Sequence, residues 1–78
     1  MRSKTTGLTA RQEEVLKLTI QGYTPYGIAG ILFITESCAK LHMQNIYRKL
    51  GVNHEKGKDL RIMAIMKYLE LKGVQIEL

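Results

Sequence analysis

The stretch "ITESCAKLHMQNIYRKLG", residues 34–51, has the capping signals and the periodicity of a complete helix. Thr35 suits the N-cap position, and Gly51 follows the last apolar residue as a helix stop. Apolar side chains recur at helical spacing and form one narrow stripe: Ala39, Met43, Ile46 and Leu50. The stretch therefore predicts an amphipathic helix over residues 36–50 that buries this stripe in a core.

Similar signals before and after this stretch predict three further helices. Thr9 and Gln12 have the spacing of a capping box, in which each side chain accepts a hydrogen bond from the backbone of the other. Thr24 followed by Pro25 marks another helix start, because the N–H that proline lacks would be unpaired there. No segment alternates apolar and polar residues as a β-strand would. The sequence thus predicts an all-α fold of four helices, over residues 10–21, 25–32, 36–50 and 59–72.

Two glycines, Gly27 and Gly30, lie inside the second predicted helix. Each costs about 1 kcal/mol relative to alanine in a helix interior, so this helix depends on its packing. We therefore expect a neighbouring group to approach the helix closely at these two positions.

The composition fits one small basic domain of 78 residues. We assign residues 8–78 to the domain and residues 1–7 to a flexible basic arm. The net charge of +5 and the isoelectric point near 9.6 favour a polyanionic partner, with nucleic acid first. One cysteine cannot form an internal disulfide, there is no secretory pattern, and the longest apolar run is too short to span a membrane. We expect a cytoplasmic protein without membrane contact.

The side of the central helix opposite its apolar stripe carries groups of the kind that read DNA. No acidic residue is predicted on this face. Lysine donates to guanine O6 and N7, glutamine pairs with adenine, and leucine can contact the thymine methyl group. The face consists of Ser37, Leu41, Gln44 and Arg48, flanked by Lys40, Asn45 and Cys38. It predicts base contacts in the major groove of double-stranded DNA from four residues: Ser37, Lys40, Leu41 and Gln44.

Basic residues continue beyond this face, around the end of the helix and into the next loop. They are Arg48, Lys49, Lys56, Lys58 and Arg61. Each one alone is typical of a solvated surface, but the set surrounds the region where phosphates beside a groove would lie. The charge distribution therefore predicts phosphate contacts at this end of the helix.

Taken together, these residues resemble the LuxR/GerE-type helix-turn-helix domain of bacterial transcription regulators. The resemblance spans residues 8–52 and includes "LTARQEEVLKL" and "GYTPYGIAGILFITESCAKLHMQNIYRKLGV". It is carried by Leu8, Thr9, Arg11, Glu14, Val15, Leu16, Gly22, Ile28, Ala29, Leu32, Ile34, Thr35, Lys40, His42, Asn45, Ile46, Lys49, Leu50, Gly51 and Val52.

The resemblance implies a tetrahelical DNA-binding domain in which the second helix supports the third, the recognition helix, and the fourth is available for dimerisation. Base-reading positions of the family fall on Lys40, Leu41 and Gln44, the residues that the helical periodicity also selects. Phosphate-contacting positions fall on four others: Lys49, Arg48, Thr35 and Thr24. Contact with RNA polymerase is a further expectation for such a regulator.

Several positions depart from the usual residues of the family. Gly27 replaces an acidic residue, Cys38 a threonine, Ala39 a valine and Leu41 a small polar residue. These departures bear on the DNA target more than on the fold. The 78 residues contain no receiver or ligand-sensing domain, so we expect either a stand-alone regulator of the GerE type or an isolated fragment.

The fourth predicted helix is apolar on two sides. One stripe consists of Leu60, Met63, Ala64 and Leu71, and the other of Ile62, Ile65, Met66 and Leu69. A four-helix monomer can bury only one stripe, so the second is predicted to pair with itself in a homodimer. The alternative is that "VQIEL", residues 74–78, folds back and covers it.

Chemistry at Cys38 and His42 is the alternative to DNA reading on the central helix. The two residues lie four apart, and His54 is a third candidate metal ligand. Zinc sites take three or four protein ligands, and a nucleophilic cysteine needs a base, an orienting group and a substrate cleft. We therefore expect no metal, no cofactor and no enzymatic activity.

Two other classes of function remain open at this point. One is a protein-binding helical module that docks on polymerase or on another regulator and has lost DNA recognition. The other is a DNA-binding segment similar to region four of a sigma factor, whose first helix can look alike.

Overall fold

Four α-helices make up residues 6–73, the part of the chain that the computed structural model describes. They are α1 (Ala10–Ile20), α2 (Pro25–Leu32), α3 (Glu36–Leu50) and α4 (Leu60–Leu71), with no strand among residues 6–73. The predicted all-α, four-helix fold is confirmed. Residues 1–5 of the predicted arm and the whole of "VQIEL" lie outside the described residues.

Two helices are shorter at their ends than the sequence predicts. α1 ends one residue early because Gln21 is its C-cap, and α4 excludes Asp59 and Lys72 because these residues are its caps. The ranges predicted for α1 and α4 included these cap residues, which are only partly helical. The bounds of α2 and α3 are the predicted ones.

Side-chain caps fix the starts of α1 and α4. Thr9 Oγ1 accepts from the N–H of Gln12 at 3.1 Å, and the N–H of Thr9 donates to Gln12 Oε1 at 3.0 Å, which completes the predicted capping box. Asp59 accepts from the N–H groups of Arg61 and Ile62 at 2.8 and 3.3 Å. The backbone hydrogen bonds from Ile62 and Arg61 hold the pKa of Asp59 below its ordinary value of 3.8.

The core is small and centres on α3, which packs against the other three helices. The stripe predicted on α3 is buried, and Ala39 and Ile46 are inaccessible to solvent. The other helices contribute Val15, Leu16, Ile28, Ala64 and Tyr68. Because α3 is anchored from three sides, the side chains on its outward face are presented by a rigid element.

The turn between α2 and α3 contains a strained backbone conformation. Phe33 has φ 58° and ψ 45°, in the left-handed region that residues with a Cβ rarely adopt, and its side chain is 94% exposed. The next residue, Ile34, packs against the core, and its N–H donates to the carbonyl of Ala29 at 3.0 Å. The three-residue link between the two helices therefore begins with a left-handed C-cap residue.

The two glycines inside α2 have different surroundings. A Cβ at Gly27 would lie 3.3 Å from Cδ1 of Tyr23, which is a tight contact. A Cβ at Gly30 would meet no neighbouring side chain within 4 Å, so the expectation of a close approach is wrong at that position. Gly30 instead lines a shallow groove of about 420 Å³ together with Tyr26 and Ile34.

A polar contact with no local signal in the sequence holds α4 against α1. The hydroxyl of the buried Tyr68 donates to the carboxylate of Glu13 at 3.5 Å. Lys72 Nζ lies 4.0 Å from the same carboxylate and 5.8 Å from the centre of the Tyr68 ring. Burial, followed by the nearby Glu13 charge, raises the pKa of Tyr68 and keeps its hydroxyl protonated as a donor.

The side of α4 that faces the core differs from the side predicted from its two apolar stripes. Ala64 is buried, as predicted, but Tyr68 is buried beside it. Ile65 and Leu69, predicted on the uncovered stripe, are half-buried and pack against the core, which corrects their predicted exposure. Ile62 and Met66, one turn apart, are the large apolar residues of α4 that stay exposed, at 54% and 39%. The uncovered surface of α4 is thus narrower than predicted.

Candidate nucleic-acid interface

The outward face of α3 presents the side chains that were predicted to read bases. Ser37, Lys40, Leu41 and Gln44 are all exposed. Leu41 is 55% exposed, which leaves its methyl groups available for an apolar contact. The flanking residues Cys38 and Asn45 are half-buried. A mixed row of donors, an amide and one apolar group therefore lies opposite the buried stripe of the same helix.

One acidic side chain reaches this face, so the prediction of a face without acid is wrong. The carboxylate of Glu36 lies 3.5 Å from Nζ of Lys40, and both side chains are about half exposed. An acid four residues before a lysine is the favourable order for a helical ion pair, which is worth about 0.3–0.5 kcal/mol at an exposed site. That spacing is visible in the sequence and is the signal by which Glu36 could have been found.

The last turn of α3 carries two basic residues, one held by a side-chain hydrogen bond and one without an ion pair among residues 6–73. Arg48 Nη1 donates to Oδ1 of Asn45 at 3.3 Å, which holds the guanidinium along the helix. Within residues 6–73, Lys49 forms no ion pair, and it is exposed. Both positive charges lie at the helix end where the dipole favours them. Lys49 is therefore the freer of the two to contact a phosphate.

The two threonines that were predicted to contact phosphates are the N-caps of α2 and α3. Thr24 Oγ1 accepts from the N–H of Gly27 at 3.2 Å, and Thr35 Oγ1 accepts from the N–H of Cys38 at 3.0 Å. Each hydroxyl accepts from the backbone, so its own proton remains available to a phosphate oxygen. Both residues are exposed beside helix N-termini, which also favour anions.

The loop between α3 and α4 presents its lysines unequally. Lys58 Nζ lies 3.2 Å from the carboxylate of Glu55, whereas Lys56 is exposed and has no ion-pair partner among the described residues. Lys58 would have to leave Glu55 to contact DNA. Of the two lysines predicted to contact phosphates, Lys56 is therefore the more readily available.

The residues considered for metal binding do not converge. Cys38 and His42 are half-buried on α3, and His54 is exposed in the following loop. Across residues 6–73, no three His, Cys, Asp or Glu side chains form a group that could hold a metal ion. Over the same residues, every helix is too short or too polar to cross a membrane.

Comparison with known families agrees with the helix arrangement. Residues 6–57, well over half of the chain, match GerE, the bacterial regulatory proteins of the luxR family. This chain belongs to the LuxR family of bacterial regulatory proteins. The matched residues include α1, α2 and α3 completely and end in the loop before α4. In this LuxR-family chain, α2 and α3 thus form the helix-turn-helix of a DNA-binding regulator domain, and the family is not one of enzymes.

The outer surface of α2 in this LuxR-family domain is exposed, apolar and uncharged, and it is not among the predicted sites. Residues 18–35 contain no charged side chain, although 24% of the whole chain is charged. Tyr26 and Phe33 are exposed there, at 76% and 94%, together with Tyr23 and Ile31. The missing charges are the signal that could have identified this surface, since a solvated helix face normally carries some.

Proposed function

We propose that this domain binds a specific sequence of double-stranded DNA as a homodimer, with α3 as the recognition helix in the major groove. Family membership supports DNA binding and transcription regulation. The observation that carries the proposal of sequence specificity is the exposed row on α3: Ser37, Lys40, Leu41 and Gln44. Such a row can distinguish bases because each of its groups matches a different pattern in the major groove.

Base reading in this proposal follows from the chemistry of each side chain. Lys40 donates to O6 and N7 of guanine, and Gln44 pairs with N6 and N7 of adenine. Leu41 contacts the thymine methyl group, and Ser37 donates to or accepts from either base of a pair. One good bidentate contact contributes about 1–3 kcal/mol of discrimination against the wrong base.

Phosphate contacts in this proposal position the helix and supply affinity for any sequence. The main phosphate contacts in this proposal come from Lys49 and Lys56, because neither forms an ion pair within residues 6–73. The remaining contacts come from Arg48, Lys58, Thr24 and Thr35. Each phosphate neutralised by a lysine or an arginine releases counterions, so the binding should weaken steeply as salt is added.

The proposed dimer uses the surface of α4. Ile62 and Met66 form its centre because they remain exposed and lie one turn apart, and the half-buried Ile65 and Leu69 lie beside them. A twofold contact brings the same surface of each copy together and relates the two recognition helices by symmetry. The expected DNA site is then a near-palindrome with half-sites about 10 base pairs apart.

Duplex binding across a salt series tests this proposal. The probes are the best duplex that the wild-type protein selects from a random pool and a scrambled duplex of the same composition. We expect Lys40→Ala and Gln44→Ala each to weaken binding to the selected duplex by about 1–3 kcal/mol and to leave the scrambled duplex nearly unaffected. The control, Lys49→Ala, should weaken binding to both duplexes equally. It should also reduce the slope of log affinity against log salt concentration by about 1.

Two results would contradict the proposal in different ways. If all three variants bind like the wild type, α3 does not present the DNA-binding face. If the wild-type protein binds no duplex even at low salt, DNA binding itself is refuted, because phosphate contacts are strongest there.

A second candidate function is a protein contact through the outer surface of α2. The uncharged residues 18–35 and the exposed rings of Tyr26 and Phe33 support it, because exposed apolar surface often marks an interaction site. RNA polymerase or another regulator would be the partner. The salt series separates this candidate from the first, since a folded chain that binds no duplex would fit a protein-binding module that has lost DNA recognition.

A further inference from the structure

We propose that Asn45 is a positioning residue, which holds the guanidinium of Arg48 in place for a DNA phosphate. The inference rests on the proposed function of α3, in which Arg48 is one of the phosphate contacts. It starts from the hydrogen bond of 3.3 Å that Nη1 of Arg48 donates to Oδ1 of Asn45. Asn45 is half-buried beside the outward row of α3, and Arg48 is exposed. Asn45 thus acts on DNA binding through Arg48 and not through a contact of its own.

The partner of Arg48 is a neutral amide, which leaves the charge of the guanidinium intact. An acid beside a cation offsets the positive charge that attracts a phosphate, whereas an amide oxygen orients the guanidinium without offsetting its charge. The other lysines and arginines of residues 6–73 with a side-chain partner lie within 4.0 Å of a carboxylate: Arg11, Lys40, Lys58, Arg61, Lys67 and Lys72.

The guanidinium of Arg48 keeps donors for a phosphate while Asn45 holds it. The group is planar and carries five N–H donors, of which the hydrogen bond to Asn45 uses one. Nε and Nη2 form the opposite edge, which can donate to two oxygens of one phosphate. Because Arg48 is exposed and has no carboxylate partner within residues 6–73, this edge can receive an anion.

Holding Arg48 before the DNA arrives lowers the cost of binding. A free arginine side chain occupies many rotamers and loses them when it contacts a phosphate. The apparent affinity therefore rises with the fraction of molecules whose arginine is already in place. The hydrogen bond to Asn45 can persist in the complex, so no contact has to break when DNA binds. An exposed hydrogen bond of this kind should strengthen DNA binding by about two- to fourfold.

The main test removes the amide and measures binding to the selected and the scrambled duplex. We expect Asn45→Ala to weaken binding to both by the same factor, about two- to fourfold, because phosphate contacts carry no sequence information. The slope of log affinity against log salt concentration should stay that of the wild type, because Arg48 keeps its charge. Arg48→Ala, in contrast, should reduce the slope by about 0.9. In the Arg48→Ala background, Asn45→Ala should change neither affinity nor slope.

Asn45→Asp is the matched variant that separates orientation from charge. It keeps an oxygen that can accept from Arg48 but adds a negative charge that offsets the guanidinium. We expect it to weaken binding to both duplexes and, unlike Asn45→Ala, to reduce the salt slope by about 0.9. Thermal unfolding checks that each variant is folded. Alanine is a better helix former than asparagine, so a weaker helix cannot explain a loss of affinity in Asn45→Ala.

Three results would overturn the inference and leave DNA binding by α3 intact. They are unchanged or tighter binding by Asn45→Ala, a loss confined to the selected duplex, and an undiminished loss in the Arg48→Ala background. A loss confined to the selected duplex would show that Asn45 reads a base itself, since an asparagine amide can pair with adenine. If the wild type binds neither duplex, the proposed function fails and this inference fails with it, so the two failures are distinguishable.

Discussion

At the scale of single residues, Phe33 combines a left-handed backbone with a side chain that is 94% exposed. A residue with a Cβ is less stable in this region than glycine by about 1 kcal/mol, and the exposed ring contributes little packing. We expect Phe33→Gly to raise the free energy of unfolding by about 1 kcal/mol, measured by urea denaturation.

The control for this prediction is Phe33→Ala, which removes the ring and keeps the Cβ. Its free energy of unfolding should stay within about 0.5 kcal/mol of the wild type. Equal stabilities of the glycine and alanine variants would show that the backbone at residue 33 is not strained. A large loss in the alanine variant would instead show that the ring packs on the fold.

Residues near one another in the chain were the easier ones to predict. The capping box of Thr9 and Gln12 follows from spacing alone, because the donors at a helix start have few other partners. The contact of Tyr68 with Glu13 joins residues 55 positions apart, and nothing local indicates it. The left-handed conformation of Phe33 also has no signal in the sequence, because the residues that usually adopt it are glycine and asparagine.

At the scale of helices, the start of α4 depends on a cap that titrates. Backbone hydrogen bonds from Ile62 and Arg61 lower the pKa of Asp59 below 3.8. A lowered folded-state pKa means that the carboxylate stabilises the fold above pH 3.8 and that this contribution is lost as the pH falls through the folded-state value. We expect the melting temperature of the wild type to fall more than that of Asp59→Asn between about pH 5 and about pH 3.

Asparagine is the informative replacement because it also caps helices but does not titrate. The other carboxyl groups titrate in both proteins, so the difference between the two melting curves isolates Asp59. Asp59→Ala, which cannot cap, should melt at a lower temperature than the wild type at pH 5 and above. Identical acid sensitivity in the wild type and the asparagine variant would contradict the role given to this carboxylate.

Helix positions were more predictable than helix rotation. Caps and periodicity placed the helix ends within one residue of the structure, because these signals act on the local backbone. The periodicity of α4 offered two apolar stripes and could not decide which side meets the core. Burial of Tyr68 with Ala64 turns the helix so that Ile65 and Leu69 also pack inward. On α3, similarly, the pattern predicted the outward row but not that Glu36 reaches Lys40.

At the scale of the whole molecule, the proposed dimer can be tested through its mass. Met66 lies at the centre of the proposed contact on α4, and a charge buried there without a partner would destabilise the dimer. We expect the wild type to sediment as a dimer and Met66→Asp to shift it toward the monomer. Lys67→Asp, at the adjacent exposed position, should keep the mass of the wild type. A dimer that is unaffected by Met66→Asp would not use this surface.

The contact of Tyr68 and Lys72 with Glu13 has a consequence for DNA geometry. Because this contact joins α4 to α1, each domain of the proposed dimer would move as one rigid body. A dimer of two rigid domains would accept one separation between half-sites. One inserted base pair turns the second half-site by about 35° around the duplex, out of reach of the second domain. The regulator would then measure the spacing of its DNA site as strictly as it reads the bases.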